Sequence, residues 1–215
     1  MLKLISALSL ALISTFASAN LVQNASFETV PGTGTGEGLL PSDWVQFNSS
    51  ADTFSSDGSY GLDPNFGGRF PGVVAQDGLR WVAGNSIEPE EFGQFLNTPL
   101  VEGDLYRISA WIHRSARTDM PDNGTFVVTL RNETDTIRVL GAFEPTANYV
   151  WEYREFEFAA PTNSANLNIL GFSPLSAGPT GAYMGLDNVR LEAVPEPSSL
   201  LAFAALGLIL VRRKR

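Results

Sequence analysis

No cysteine occurs in the 215-residue chain. Disulfide scaffolds, thiol nucleophiles, iron–sulfur clusters and cysteine zinc sites are therefore excluded together. Histidine is nearly as scarce. His113 stands alone, so a histidine metal cluster is excluded and any serine triad would have to centre on it. No serine lies in a G-x-S-x-G elbow. Lysine occurs only at Lys3 and Lys214, which leaves arginine as the sole cationic side chain between them, apart from His113. Positive charge is short overall, with 14 basic residues against 23 acidic ones and a formal net charge of −9. Such a chain repels polyanions, which argues against sequence-blind binding to nucleic acid or anionic lipid.

Long apolar runs are confined to the two ends. Residues 1–19 hold 13 apolar residues and residues 194–215 hold 12 of the 44% apolar total. Lys3, the run Leu4 to Phe16 and the small-residue site Ala17-Ser18-Ala19 before Asn20 read as a cleaved secretory signal. At the other end Val194-Pro195-Glu196-Pro197 stops a strand, because proline donates no ladder hydrogen bond. The 14 residues Ser198 to Val211 carry no charge, and Arg212-Arg213-Lys214-Arg215 follows. Fourteen residues fall short of the roughly 20 that span a bilayer comfortably. Four cations directly behind them favour a cytoplasmic stop with the bulk of the chain outside.

This tail resembles a PEP-CTERM sorting signal, on the order Val194-Pro195-Glu196-Pro197, short apolar helix, basic cluster Arg212, Arg213, Lys214, Arg215. The resemblance implies recognition by an exosortase and transient inner-membrane anchoring. Cleavage near Pro195–Pro197 and release to the cell surface or extracellular matrix of a Gram-negative bacterium would follow. Removal of residues 1–19 and of the four terminal cations takes five positive charges and no acid, leaving 9 basic against 23 acidic residues, a charge of −14. An acidic matrix polymer is then a poor direct partner unless calcium bridges the two.

Between residues 20 and 193 the dominant pattern is period-two alternation broken by turn residues. Tyr106, Ile108, Ala110 and Ile112 share one strand face, with Arg107, Ser109, Trp111 and His113 on the other. Phe126, Val128 and Leu130 repeat the pattern, and Val189 and Leu191 close the last strand. Trp151 and Tyr153 lie on opposite parity to Phe156 and Phe158, which predicts a bulge near Arg154-Glu155. Asp122-Asn123-Gly124 reads as a hairpin turn, and residues 31–72 read as long surface loops around a short Trp44 strand. The expectation is an all-β jelly-roll sandwich of about 8–10 strands, one domain over 20–193, between a signal peptide (1–19) and a short transmembrane sorting helix (within 194–215).

The order of segments is similar to that of jelly-roll carbohydrate-binding modules of the galactose-binding-like type. The similarity rests on Asn20 to Glu28, Pro41 to Trp44, Phe92 to Phe95, Tyr106 to Trp111, Trp151 to Pro161 and Tyr183 to Leu191. It implies that Glu28 and Asp187 hold a structural calcium ion, although Asn188 stands where the family often has a second aspartate. It also implies a ligand face around Trp111. A flat aromatic with Arg107 and His113 beside it, and Arg80 and Gln94 on neighbouring strands, offers stacking and hydrogen bonds to a sugar ring. Trp44, Trp81 and Trp151 are assigned to packing.

Enzymatic readings are weaker. Glu88-Pro89-Glu90-Glu91 reads as a solvated loop rather than a glycosidase carboxylate pair. Gly32-Thr33-Gly34-Thr35-Gly36 lacks the lysine of a phosphate loop. The chain is thus expected to be non-catalytic and to serve adhesion or exopolysaccharide matrix organisation through weak carbohydrate contact. The alternatives are a purely structural surface protein and a carboxylate-dependent extracellular hydrolase.

Overall fold

The computed structural model describes residues 18–133 and 137–195. The signal run Leu4 to Phe16 and the tail from Glu196 and Pro197 through Arg215 lie outside the described residues. Twelve strands follow in chain order: β1 (Gly34–Thr35), β2 (Val45–Asn48), β3 (Asp52–Ser55), β4 (Tyr60–Gly61), β5 (Arg80–Asn85), β6 (Glu91–Phe95), β7 (Leu105–Arg114), β8 (Gly124–Arg131), β9 (Ile137–Phe143), β10 (Glu152–Ala159), β11 (Ile169–Ser176) and β12 (Tyr183–Ala193). Ten of them build two five-stranded sheets, sheet one in the order β10-β7-β12-β5-β3 and sheet two in the order β2-β6-β11-β8-β9. Pairing within both sheets is antiparallel. From β5 on, the chain changes sheet at every step except the β8–β9 hairpin, which is the path of a jelly roll.

The alternation along β7 and β8 sends Tyr106, Ile108, Ala110 and Ile112 from one sheet, and Phe126, Val128 and Leu130 from the other, into a shared core. Trp44, just before β2, sits in this core, with its ring centroid 4.7 Å from Phe27 and 6.0 Å from both Phe92 and Phe172. Its indole N–H donates to the Asn24 carbonyl at 3.1 Å, so the large apolar body is buried without stranding its polar group.

Three local expectations need correction. The β10–β7 register runs unbroken from Glu152↔Ile112 to Ala159↔Leu105, so no bulge lies at Arg154-Glu155. Phe156 and Phe158 pair opposite Ile108 and Tyr106 and face the core, whereas Trp151 and Tyr153 lie on the outer side of sheet one. Aromatics occupy both parities because both sides have something to pack against. Asp122-Asn123-Gly124 is not a hairpin either: it carries the chain from β7 in sheet one to β8 in sheet two. There the Asp122 carboxylate accepts the Thr180 and Gly181 amides at 2.7 and 2.9 Å, and the Asn123 carbonyl accepts the Ala177 amide at 2.8 Å.

The third correction concerns residues 31–72. Phe54, Leu62 and Phe70 from this span, with Val73 just beyond it, join Trp81, Ala83 and Tyr183 in a second buried cluster on the outer side of sheet one. Phe54 stacks on Trp81 at 5.4 Å and Phe70 on Tyr183 at 5.1 Å. This segment roofs part of the sheet instead of lying over the surface. Its apolar residues are spaced irregularly, so neither a helical nor a strand period exposes them.

Sheet one is completed by the start of the chain. β5 pairs with β12 only over Tyr183–Leu186, and a register shift follows between Asp187 and Arg190. Beyond it residues 18–25 take over. The Leu21 amide donates to the Leu191 carbonyl at 2.8 Å, and the Val189 amide donates to the Ala25 carbonyl at 2.9 Å. The Asn20 side chain donates to the Val189 carbonyl at 3.0 Å, while its oxygen accepts the Leu191 and Val22 amides at 2.9 and 3.0 Å. Asn20→Ala removes all three bonds and leaves backbone groups of β12 short of partners. At about 1 kcal/mol per bond, this variant should unfold several degrees below the parent by circular dichroism; an unchanged melting temperature would show that β12 does not need the latch.

Candidate functional site

The residues expected to form a ligand face do not converge. Trp111 lies on the outer side of β7, half-buried, with its ring edge-on to Tyr153 at 5.7 Å. Arg107 is exposed on the same side and is held by Glu157 at 2.6 Å. His113 is fully buried, boxed by Trp151 at 4.1 Å, Phe70 at 4.6 Å and Trp81 at 6.3 Å. Neither of its ring nitrogens has a partner among the described residues, and burial pushes its pKa down to about 3. It is a neutral ring in an apolar box and offers nothing to a sugar. Arg80 opens β5 and bonds to Glu28 at 3.2 Å and to the Ser59 hydroxyl at 2.6 Å. Gln94 belongs to sheet two, is buried, and exchanges two hydrogen bonds with the Gln23 backbone at 2.9 and 3.0 Å.

Glu28 and Asp187 do converge on one turn, but as acceptors of N–H groups. Glu28 Oε1 accepts the Leu79 and Arg80 amides at 2.8 and 2.7 Å, and its other oxygen faces the Arg80 guanidinium. Asp187 Oδ2 accepts the Gln76 and Asp77 amides at 2.9 and 3.0 Å, and its Oδ1 accepts the Asn188 amide at 2.7 Å. The two carboxylates thus grip the two halves of residues 76–80, which lead into β5 beneath the roof. Calcium takes about six to eight oxygen ligands. Here N–H donors and a guanidinium point where a cation would sit, and among the described residues no three acidic or histidine side chains come together. The expected calcium site does not fit this donor set.

Glu88-Pro89-Glu90-Glu91 also departs from the solvated loop read in the sequence. Glu90 is buried, accepts the Asn85 amide at 2.8 Å and is pushed up to about 8 by desolvation. Glu91 opens β6 and turns outward into a groove on the outer face of sheet two. This groove encloses about 160 Å³ and is lined by Phe47, Val127, Ile137 and Leu175 as apolar walls, with Glu91, Thr129, Arg131 and Ser173 as polar groups. Glu91 bonds to Arg131 at 3.1 Å and accepts the Ser173 hydroxyl at 3.1 Å. The Arg131 guanidinium lies over the Phe47 ring, 4.5 Å from its centroid, which fixes the cation without immersing it in apolar surroundings.

The floor is bare backbone. Gly93 of β6 pairs directly with Gly171 of β11. A Cβ at Gly93 would come within 2.0 Å of the Leu170 carbonyl oxygen, and one at Gly171 within 2.7 Å of Thr129 Oγ1. Glycine inside a strand marks a close approach, and the pair Gly93 and Gly171 is the one sequence signal that pointed here. Sequence reasoning missed the groove because its polar members belong to three different strands.

Together these features define a two-sheet β-sandwich with a small, chemically mixed groove on one outer face. A protein-family model described as the PEP-CTERM protein-sorting motif matches residues 193–215, so the chain carries that motif behind the sandwich. No curated protein matches the chain. Among solved structures, a cyclase from Fischerella sp. TAU aligns at 17% identity over 83% of this chain and 98% of its own, with a TM-score of 0.53. The arabinose-bound α-L-arabinofuranosidase MgGH51 aligns at 18% identity over 82% of this chain and 26% of its own, also at 0.53. TmCBM61 in complex with β-1,4-galactotriose aligns at 17% identity over 82% of this chain and 100% of its own, with a TM-score of 0.47. At such identities the likeness is one of fold.

Two measurements check the electrostatics. A chelator should leave the melting temperature unchanged, whereas Asp187→Ala should lower it by releasing residues 76 and 77; a chelator-induced drop that disappears in Asp187→Ala would restore the cation. The second is pH dependence. Burial raises both Glu90 and Asp187 to about 8, so their stabilisation is complete below the unfolded value of about 4 and is lost as pH rises through 8. His113 runs the other way, losing its stabilisation as pH falls from about 6.5 toward 3. Between pH 6.5 and 8.5 only the carboxyls act, so the melting temperature should fall across that window. Glu90→Gln should flatten the fall; an equal slope in parent and variant would show that Glu90 is ionised throughout.

Proposed function

We propose that this protein is exported, sorted by an exosortase through its PEP-CTERM motif, and placed at the cell surface or in the extracellular matrix. Transient inner-membrane anchoring precedes that release. There it makes weak, non-catalytic contact with extracellular polysaccharide through the groove of sheet two, in adhesion or matrix organisation. The observation that carries the reading is the groove's mixed lining. A sugar ring needs apolar contact for its C–H face and paired donors and acceptors for its hydroxyls, and the groove sets apolar walls beside the Glu91–Arg131–Ser173 cluster.

Two further observations shape the proposal. At about 160 Å³ the groove is well below the roughly 300–1,000 Å³ of pockets that enclose a drug-sized ligand, which suits one ring held at low affinity. Glu91 is the only carboxylate among its lining residues. The two flanking carboxylates used in most glycoside hydrolysis are not assembled there.

A glycan array followed by millimolar titration with the full chain tests the reading. Phe47→Ala should weaken binding about tenfold, whereas Trp111→Ala on the opposite sheet should leave it unchanged. Loss on Trp111→Ala with Phe47→Ala silent would move the site to sheet one, and no binding to any glycan would leave a purely structural surface protein.

A further inference from the structure

The polar cluster in the groove is matched internally in a way that bears on what it admits. Arg131 is the only cation among the lining residues and Glu91 the only anion, and they face each other at 3.1 Å. Their side chains are 12% and 29% exposed, so the pair is shielded from water on most sides and only one edge of it can meet a ligand. Ser173 donates to the second Glu91 oxygen at 3.1 Å, and Phe47 lies beneath the guanidinium. Both ions are thereby held in one orientation, with the carboxylate spread between Arg131 and Ser173.

That edge offers an acceptor, the Glu91 carboxylate, next to a donor, the Arg131 guanidinium. A hydroxyl can donate to the first while its neighbour accepts from the second, so a neutral vicinal diol fits without disturbing the ion pair. A ligand carboxylate differs on both counts. It brings a negative charge against Glu91, and it can claim the Arg131 fork only by displacing Glu91, which would leave a largely buried carboxylate without its cation. The surroundings add to this bias, since the chain between its two ends carries 9 basic residues and 23 acidic ones.

We propose that Glu91 sets the ligand class of the groove, admitting neutral saccharides and rejecting uronic-acid saccharides. This rests on the reading of the groove as a glycan site and goes further by naming the residue that selects. Glu91 is here a specificity residue: removing its charge frees the Arg131 guanidinium for a ligand carboxylate.

The test uses two matched pairs of oligosaccharides that differ only in oxidation at C6: cellohexaose against the β-1,4-glucuronic acid hexamer, and β-1,4-mannohexaose against the β-1,4-mannuronic acid hexamer. Binding to the full chain is measured by calorimetry at fixed ionic strength, with melting temperatures confirming that the variants fold. The parent should bind a neutral member and not its acidic counterpart. Glu91→Gln should gain affinity for the acidic member by about tenfold or more, the scale of one charge-assisted hydrogen bond. Adding Arg131→Met to Glu91→Gln should abolish that gain. Equal binding of both members by the parent, or an unchanged preference in Glu91→Gln, overturns the proposal while leaving the groove as a glycan site. A gain that survives loss of Arg131 overturns it as well. If neither parent nor variant binds any of the four saccharides, while Phe47→Ala is equally silent on the array, the glycan reading itself falls and takes this inference with it.

Discussion

Sheet one is packed on both faces over part of its area, and much else in the molecule depends on this. One face meets sheet two through the main core; the other meets the segment after β3, whose Phe54, Leu62, Phe70 and Val73 close over Trp81 and Tyr183. A sheet covered on both sides cannot show clean alternation, because residues of either parity find an apolar environment. The aromatics of β10 and the burial of His113 at the end of β7 both follow. So does the position of Asp187, whose carboxylate lies fully buried on β12 and holds the amides at the start of the turn that leads from the roof into β5. Without cysteine, this double layer and its hydrogen-bonded turn do work that a disulfide might do in another exported domain.

The same covering decides where a ligand can bind. On the outer side of sheet one, roofing removes His113 from contact, and the remaining stretch around Trp111 and Arg107 has its cation tied to Glu157. Sheet two has no such roof over its centre. There the Gly93–Gly171 pair keeps the floor at backbone level, and side chains from β2, β6, β8, β9 and β11 rise around it. Exposed Ile137, Val139 and Leu175 near that face would be unremarkable singly, but beside the Glu91–Arg131 pair they form a surface of mixed character.

What the sequence disclosed and what it withheld divide along physical lines. The core faces of β7 and β8 were readable because one side of each strand meets the same apolar layer throughout, and the period-two pattern records that directly. The roof was not readable, since Phe54, Leu62 and Phe70 owe their burial to a fold-back across the sheet and obey no local period. Glu28 and Asp187 were correctly singled out as partners at one place, yet their chemistry was misjudged, because sequence cannot show whether an oxygen will face a cation or an amide. Trp111 attracted attention as a large aromatic among polar neighbours. Glu91 did not, as its partners Arg131 and Ser173 lie 40 and 82 residues away.

The ends of the domain constrain how it can form. Asn20 and Leu21 bond to Val189 and Leu191, and the Ala193 amide reaches the Ser18 hydroxyl at 3.1 Å across 175 residues. The first described segment therefore completes the last strand. In a chain that emerges N-terminus first, residues 18–25 must wait for β12 before their backbone groups find partners, and sheet one cannot close until nearly the whole domain is present. Contacts of this separation are slow to form, because loop-closure entropy is spent before any pairing offsets it. The Val194 amide is still bonded to the Leu105 carbonyl at 2.8 Å, so the sheet runs up to the first residues of the sorting motif. The two membrane-directed ends accordingly leave the sandwich from neighbouring points on one edge, and the groove on the other sheet is built from strands that neither end touches.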